Sequence, residues 1–170
     1  LELTHAPYHL SSTVYDLMAI TNTRLVERNL RFDVEVSPDI PYTLLGDRQR
    51  VQQVIINLVN NAIKYTPQGS ISLKIWHQPT PADNLIYLYC SVSDTGIGIK
   101  EEDLDKIFNS FTRVDTKRNR SIEGTGLGLP ICQRLVTAMN GEFDVKSTYG
   151  KGSTFTFYIL TECSGEEKTG

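Results

Sequence analysis

Residues 46–69, GDRQRVQQVIINLVNNAIKYTPQG, constrain the fold more than any other stretch of the sequence. Their apolar residues recur with the period of an α-helix, about 3.6 residues, and predict one wide buried face. Asp47 is suited to cap the start of this helix, and the turn-forming sequence TPQG ends it. The buried face is predicted to comprise Val51, Val54, Ile55, Ile56, Leu58, Val59, Ala62 and Ile63.

The remaining stripe of this helix carries amides where an exposed face usually carries Glu and Lys. Asparagine is a poor helix former because its side chain competes for backbone hydrogen bonds. One interpretation is a surface helix with unusual amides. The other is that Asn57 and Asn61, which share one face, direct amide oxygens at a ligand or at a hard cation such as Mg²⁺. The stripe comprises Gln53, Asn57, Asn60, Asn61 and Lys64.

The composition is that of one globular domain, which we expect over residues 1–160, with a disordered tail over residues 161–170. A net charge of -3 gives no basic field that would indicate nucleic acid as a partner. Three scattered cysteines indicate reduced thiols in the cytoplasm. The chain lacks a starting Met and is expected to be a monomeric fragment of a longer protein, which is either soluble or anchored in the membrane.

Stretches with the apolar period of a helix and stretches with the two-residue alternation of a strand follow one another along the chain. Helical patterns are predicted from Ser11 or Ser12 to Arg28, over the central helix, and from Gly124–Gly128 to Met139, with a short helix over residues 101–108. This order predicts an α+β two-layer sandwich, in which three principal helices cover one face of a mixed, mostly antiparallel sheet. The polar residues 109–123 predict a flexible lid. Alternation predicts strands over residues 30–36, 70–77, 85–93, 142–148 and 153–160.

Two glycine clusters bear on function. Asp94-Thr95-Gly96-Ile97-Gly98 follows a strand, and glycine there lets a ligand approach the backbone. Its Asp94 either caps a turn or accepts a hydrogen bond from an exocyclic amine. Gly124-Thr125-Gly126-Leu127-Gly128 lies just before a predicted helix, whose free amides can bind phosphate. Neither cluster matches the Rossmann fingerprint or the P-loop.

These segments together resemble one family. NLVNNAIKYTPQG resembles the N box of the histidine kinase catalytic and ATP-binding domain, DTGIGI its G1 box, IFNSFTRVD its F box and GTGLGLPI its G2 box. GKGSTFTF resembles the last loop and strand. The boxes occur in the family's order over about residues 47–157. The resemblance implies the GHKL or Bergerat fold, shared with gyrase, heat-shock and mismatch-repair ATPases, and implies ATP and Mg²⁺ as cofactors.

The resemblance also implies roles for residues of the N box and the G1 box. Asn61 would bind Mg²⁺, and Asn57 would support the metal or the phosphates. Lys64 would contact phosphate, and Tyr65 would lie against the nucleotide. In the G1 box, the adenine amine would bind Asp94, and the nearby cofactor-binding residues would be Gly96, Gly98 and Ile99.

Further roles are implied at the lid and beyond it. Arg113 is a candidate phosphate contact and completes a catalytic set with Asn57 and Lys64. Phe108 and Phe111 would anchor the lid, either by packing or by a direct role. Ser153 or Thr154 would close the adenine end, and both remain candidates. The triphosphate would be wrapped by Gly124, Thr125, Gly126, Leu127, Gly128 and Leu129.

The residue at position 57 separates two of three hypotheses of function. In the related ATPases the matching helical position carries a Glu that activates water, whereas Asn57 can orient a group but cannot take a proton. The resemblance therefore implies that the domain lacks the base for rapid hydrolysis and passes the phosphoryl group to a protein side chain. The resemblance implies that the acceptor is a histidine on a helix, and Pro7 excludes His5 from a helix interior, so the acceptor is expected on separate dimerisation helices. A response regulator receiver domain is the expected next partner. The alternatives are a nucleotide-binding module without kinase activity and a water-activating ATPase, which would turn over ATP alone.

Overall fold

The computed structural model describes residues 2–107 and 123–163, apart from the side chains of residues 123–128. Helices and strands follow one another in the order that the helical and the alternating apolar patterns of the sequence predict. The elements are β1 Ala6–His9, α1 Leu10–Glu27, β2 Arg31–Val36, β3 Thr43–Gly46, α2 Arg48–Lys64, β4 Ser70–Pro79, β5 Leu85–Asp94, α3 Glu101–Leu104, α4 Glu123–Ala138, β6 Glu142–Thr148 and β7 Gly152–Cys163.

The strands form one sheet in the order β1-β3-β7-β5-β4-β2, with β6 also paired to β7. Strands β2 and β4 are parallel, and the other pairs are antiparallel. The predicted mixed, mostly antiparallel sheet is therefore confirmed. In the register of β5 with β7, Asp94 lies opposite Ser153, so the end of one strand meets the start of the other.

Helix α2 is the central helix of the domain and packs on β4 and β5. The Asp47 side chain caps its start by accepting the Arg50 N–H at 3.1 Å. The predicted apolar face is buried, except that Ile56 is only partly buried at its edge. The amide stripe therefore lies away from the core, because hydrophobic packing fixes which side of the helix faces the sheet.

Helices α1 and α4 complete the helical layer beside α2. Helix α1 packs on α2, and α4 packs on α2, β6 and β7, so three principal helices form the second layer as predicted. Asn29 and Asn140 follow α1 and α4 with φ of 54° and 59°, the left-handed conformation that commonly ends a helix. The loops that return to the sheet thus begin where the sequence predicts.

The opposite face of the sheet carries a row of aromatic side chains across three strands. The ring centroids of Trp76 and Tyr89 are 5.4 Å apart, and those of Tyr89 and Tyr158 are 5.1 Å apart. Cross-strand aromatic pairs of this kind stabilise a sheet face that is not the main core.

Three predicted boundaries differ from the structure. Strand β7 continues past Leu160 to Cys163 because Thr161 Oγ1 donates to the Leu45 carbonyl and β3 pairs with its end, so residues 161–163 are not part of a tail. Helix α3 ends at Leu104, short of the predicted Phe108. The glycines at 124–128 lie inside α4, which begins at Glu123. A glycine costs a helix only about 1 kcal/mol, which the packing of the fully buried Leu129 can outweigh.

We expect Asp47→Ala to lower the free energy of unfolding by about 1–2 kcal/mol, measured by urea denaturation. Asp47 is 7% exposed, and besides capping α2 its carboxylate accepts the Thr4 N–H at 2.9 Å, which ties the first residues to the helix. The exposed Asp83, in the turn between β4 and β5, is the matched control, and Asp83→Ala should change stability by less than about 0.5 kcal/mol. Equal effects of the two substitutions would contradict the capping role.

Candidate functional site

A cleft opens where the end of α2 meets the end of β5 and the start of β7. It encloses about 380 Å³ of empty space, part of it open to solvent. The walls come from three elements that are distant in sequence, and the sheet register brings them together. The lining residues are Asn61, Ala62, Tyr65, Asp94, Ile97, Gly98, Ile99, Ser153 and Phe155.

Asp94 places a carboxylate in this cleft. Its Oδ1 accepts the Gly96 N–H at 2.9 Å. Burial raises the pKa of the Asp94 carboxyl above its ordinary value of 3.8, and hydrogen bonds from the backbone N–H groups of Gly96 and Ser153 offset part of that rise. The carboxylate is thus an acceptor in a poorly solvated site, which strengthens its attraction for a donor from a ligand.

Gly96 sits where no side chain fits. A Cβ at this position would lie 2.2 Å from the Tyr65 carbonyl oxygen, 2.8 Å from Thr66 Oγ1 and 2.9 Å from Asp94 Oδ1. Thr66 is fully buried, and its hydroxyl has no hydrogen-bond partner among the described residues. The glycine therefore allows the loop after β5 to pack directly against the end of α2.

The loop after β5 is held on both sides by backbone groups. On one side the Ile97 N–H donates to the Tyr65 carbonyl at 3.1 Å. On the other side the Gly150 N–H donates to the Ile97 carbonyl at 2.6 Å. Gly98 has φ of 73°, and a Cβ there would lie 2.3 Å from the Thr148 carbonyl oxygen. These contacts fix the loop between α2 and the turn that joins β6 to β7.

The alternation of β7 separates the two candidates for the adenine end. Ser153 is 7% exposed and lines the cleft beside Asp94. Thr154 points to the other face of the sheet, where its hydroxyl lies 2.9 Å from Ser93 Oγ. The structure therefore removes Thr154 from the cleft, because neighbouring residues of a strand face opposite sides.

The amides of α2 take different positions around the cleft. Asn61 lines it, and the Asn61 Nδ2 atom is buried with no hydrogen-bond partner in the described part of the chain. Asn57 lies one turn earlier, where its Nδ2 donates to Cys132 Sγ of α4 at 3.6 Å. The Lys64 ammonium lies 5.4 Å from the centre of the Tyr65 ring. The helix thus presents one amide to the cleft and uses another to contact α4.

Several predicted site residues lie elsewhere. Phe108, Phe111 and Arg113 are outside the described residues. Of the G2 segment, the backbone at 124–128 forms the first turns of α4, and Leu129 is buried in the core rather than in the cleft.

Three lining residues were not predicted from the sequence. Phe155 follows Ser153 at the strand period, and Ala62 adjoins Asn61, so both could have been found by extending the predicted faces. Ile97 had no such signal. In the described part of the chain, no group of three His, Cys, Asp or Glu residues is placed to hold a metal ion.

A model of the histidine kinase-, DNA gyrase B-, and HSP90-like ATPases matches residues 46–162, which is more than half of the chain. The chain belongs to this ATPase family. The match covers α2, the loop after β5, α4 and nearly all of β7, so it includes every wall of the cleft. No helix in the described ranges is long and apolar enough to cross a membrane.

Known proteins similar to this ATPase-family domain include histidine kinases from fungi and bacteria. The peroxide stress-activated histidine kinase mak2 of Schizosaccharomyces pombe is 36% identical over 155 residues, which cover 89% of this chain and 7% of mak2. The aerobic respiration control sensor protein ArcB of Escherichia coli is 34% identical over 168 residues, covering 98% of this chain and 21% of ArcB. The chain thus spans a minor part of these relatives.

The fold is also that of solved structures. The catalytic domain of histidine kinase ThkA superimposes with a TM-score of 0.68 and 28% sequence identity, over 94% of this chain and 95% of that domain. Full-length ShkA in complex with AMPPNP superimposes with a TM-score of 0.77 and 28% sequence identity, over 98% of this chain and 33% of ShkA. The two-layer sandwich predicted from the sequence is therefore the GHKL fold of the histidine kinase ATPases.

Proposed function

We propose that this domain is the ATP-binding catalytic module of a two-component histidine kinase. It binds ATP with Mg²⁺ and donates the γ-phosphoryl group to a histidine on separate dimerisation helices. The observation that carries the proposal is the convergence in one cleft of a half-buried carboxylate, Asp94, and the buried Nδ2 atom of Asn61, which has no hydrogen-bond partner among the described residues.

Asp94 supports binding of the adenine base. The carboxylate already accepts backbone N–H groups and has lone pairs left for a further donor, which the exocyclic amine of adenine supplies. The cleft beside it is lined by apolar and aromatic side chains, as is usual in small-molecule sites. These side chains are Ala62, Tyr65, Ile97, Ile99 and Phe155.

Asn61 supports binding of the metal and the phosphates. A buried amide nitrogen without a partner among the described residues needs an acceptor from a ligand, and a phosphate oxygen is one. The amide oxygen of the same side chain is a ligand type that suits Mg²⁺, an ion that takes few protein ligands and shares the rest with phosphates and water.

The residues near the phosphates favour transfer over hydrolysis. By the family resemblance, Asn57 occupies the helical position at which related ATPases carry a water-activating Glu, and its amide cannot accept a proton. Burial raises the pKa of the neighbouring Cys132 thiol to about 11, so the thiol is neutral and supplies no base either. Transfer would then depend on positioning and on neutralising charge, to which Lys64 and Arg113 would contribute.

The proposed partners of this reaction are those that the family resemblance implies. An acceptor histidine on dimerisation helices would receive the phosphoryl group, and a response regulator receiver domain would take it next. We propose that the domain itself extends from residue 1 to the end of β7. The phosphate end would be completed by the backbone of Gly124, Thr125, Gly126, Leu127 and Gly128, with Phe108 and Phe111 in the lid.

The proposal is tested by calorimetry with ATP in the presence and absence of Mg²⁺, followed by incubation with radiolabelled ATP. The domain should bind ATP and gain affinity with Mg²⁺, and it should label a histidine only when the acceptor helices of the parent protein are added. No binding of ATP would overturn the proposal. Rapid turnover of ATP by the domain alone would favour a water-activating ATPase.

We expect Asn61→Ala to remove most of the affinity that Mg²⁺ adds to ATP binding, a loss of about tenfold or more. The matched control is Asn60→Ala, which deletes the neighbouring amide of the same helix. Asn60 Oδ1 accepts a hydrogen bond from Arg24 on the side of α1, so that variant should keep the Mg²⁺ effect. An unchanged Mg²⁺ effect in Asn61→Ala would contradict the metal role.

A further inference from the structure

Ser147, in β6, does not line the cleft but forms three short contacts beside it. Its Oγ lies 2.7 Å from the Ile99 nitrogen, 3.0 Å from the Gly152 carbonyl oxygen and 2.8 Å from Ser153 Oγ. Two of these partners, Ile99 and Ser153, are lining residues. A half-buried hydroxyl thus joins the loop after β5 to the start of β7.

The donors and acceptors around Ser147 determine where its proton lies. The Ile99 N–H can only donate, so it occupies one lone pair of the hydroxyl oxygen. The Gly152 carbonyl can only accept, so it takes the Ser147 proton. All three contacts are hydrogen bonds only if Ser153 donates its own proton to the second lone pair of Ser147. Ser153 then has no proton left and presents only lone pairs to the cleft.

This arrangement cannot relax easily, since the surrounding backbone is tightly packed. A Cβ at Gly152 would lie 2.0 Å from the Asp94 carbonyl oxygen, and one at Gly98 would lie 2.3 Å from the Thr148 carbonyl oxygen. The loop and the two strands therefore approach backbone to backbone, which keeps Ser147 within reach of its partners.

We propose that Ser147 is a positioning residue that determines which base the cleft accepts. Because the Ser147 oxygen accepts a hydrogen bond from the Ser153 hydroxyl, Ser153 can only accept a hydrogen bond from a ligand. Ser153 lies beside Asp94, which is opposite it in the register of β5 with β7. The end of the cleft then offers two acceptors, a carboxylate and a hydroxyl oxygen. Two acceptors favour a purine that carries an amine at the 6-position and disfavour one that carries a carbonyl there. The inference rests on the proposed nucleotide-binding function.

The test compares the affinities of ATP and ITP, which differ at the 6-position, by calorimetry in Mg²⁺. In Ser147→Ala, Ser153 is free to donate to the carbonyl of ITP, so the preference for ATP should fall by about fivefold, the worth of one hydrogen bond. A merely structural role would lower both affinities equally and leave the preference unchanged. That outcome would overturn the inference.

Ser93→Ala is the matched control, because it removes a hydroxyl contact of similar length, the 2.9 Å contact to Thr154, on the opposite face of the same sheet. It should keep the full preference for ATP. Ser153→Ala removes the acceptor itself and should reduce the preference as Ser147→Ala does. Ser153→Ala keeps the hydrogen bond from the Ile99 N–H to Ser147, so it remains a test if Ser147→Ala does not fold. An unchanged preference for ATP over ITP in Ser153→Ala would overturn the inference.

The thermal midpoint of each variant should be measured beside the affinities, to separate loss of fold from loss of discrimination. Wild-type chain that binds ATP without preferring it over ITP would overturn this inference alone. Wild-type chain that binds neither nucleotide would overturn the proposed function and this inference together.

Discussion

Replacing Gly96 with alanine should lower the affinity for ATP at least about a hundredfold, corresponding to roughly 2.8 kcal/mol. The new methyl group would lie 2.2 Å from the Tyr65 carbonyl oxygen, closer than any real side chain approaches backbone. The loop would have to move away from α2. That movement would carry Asp94, whose Oδ1 accepts the Gly96 N–H, out of its position in the cleft.

Gly46→Ala is the control for this substitution. Gly46 ends β3, and a Cβ there would lie 3.6 Å from Thr161 Oγ1 and 3.6 Å from the Tyr8 ring, which is ordinary contact distance. Calorimetry should therefore find nearly wild-type ATP affinity in Gly46→Ala. If Gly96→Ala folds and binds ATP as tightly as this control, the close approach of the loop and α2 has no part in nucleotide binding.

The second large effect is expected at Asp94, where Asp94→Asn should weaken ATP binding by about fiftyfold or more. The amide offers a donor where the adenine amine needs an acceptor, and the attraction of the charge is lost. For the same reason, wild-type affinity should fall as the pH is lowered through the raised pKa of this carboxyl.

The same substitution should stabilise the free domain near neutral pH. Burial raises the pKa of Asp94 in the folded state above the unfolded value of about 3.8. The folded state therefore holds the proton more tightly, and its stability falls as the pH rises through that window. Asparagine carries no charge, so Asp94→Asn removes the free-energy cost of burying an ionised carboxylate. Such a cost is expected where a residue is kept for binding at the expense of stability.

Urea denaturation and calorimetry at neutral pH would measure both effects on one protein. Asp144→Asn is the control, because Asp144 is exposed on β6 and should change neither quantity. A variant at position 94 that loses both ATP affinity and stability would indicate a structural role for the carboxylate, in place of a binding role.

The elements of this fold were predictable where a local signal and tertiary packing agree. Asp47 caps α2 as its residue type predicts, and Asn29 and Asn140 adopt the left-handed conformation that ends a helix. Alternation also predicted β2 and β4 as strands. In each case the residue type alone restricts the backbone or the face, so no knowledge of distant residues is needed.

The cleft was less predictable, because its geometry depends on register between strands. Alternation separates Ser153 from Thr154 but does not say which face meets the cleft until Ser153 is placed opposite Asp94. Ser147 reaches the site only through the pairing of β6 with β7. The Thr66 hydroxyl likewise lies beside the loop after β5 only because Gly96 packs closely against it. Such residues carry no motif, since their role arises from contacts between distant segments.

The two sides of α2 have a consequence for how this domain tolerates change. One side is locked into the core by Leu58, Val59 and Ile63, which are almost wholly inaccessible to solvent. Successive residues of a helix point about 100° apart, so a slip of one residue would drive the Asn61 amide into that core. Apolar side chains that do not line the cleft therefore set the direction of the Asn61 amide, which does line it. Substitutions that repack these core residues would misdirect the Asn61 side chain before they lowered the stability enough to unfold the protein.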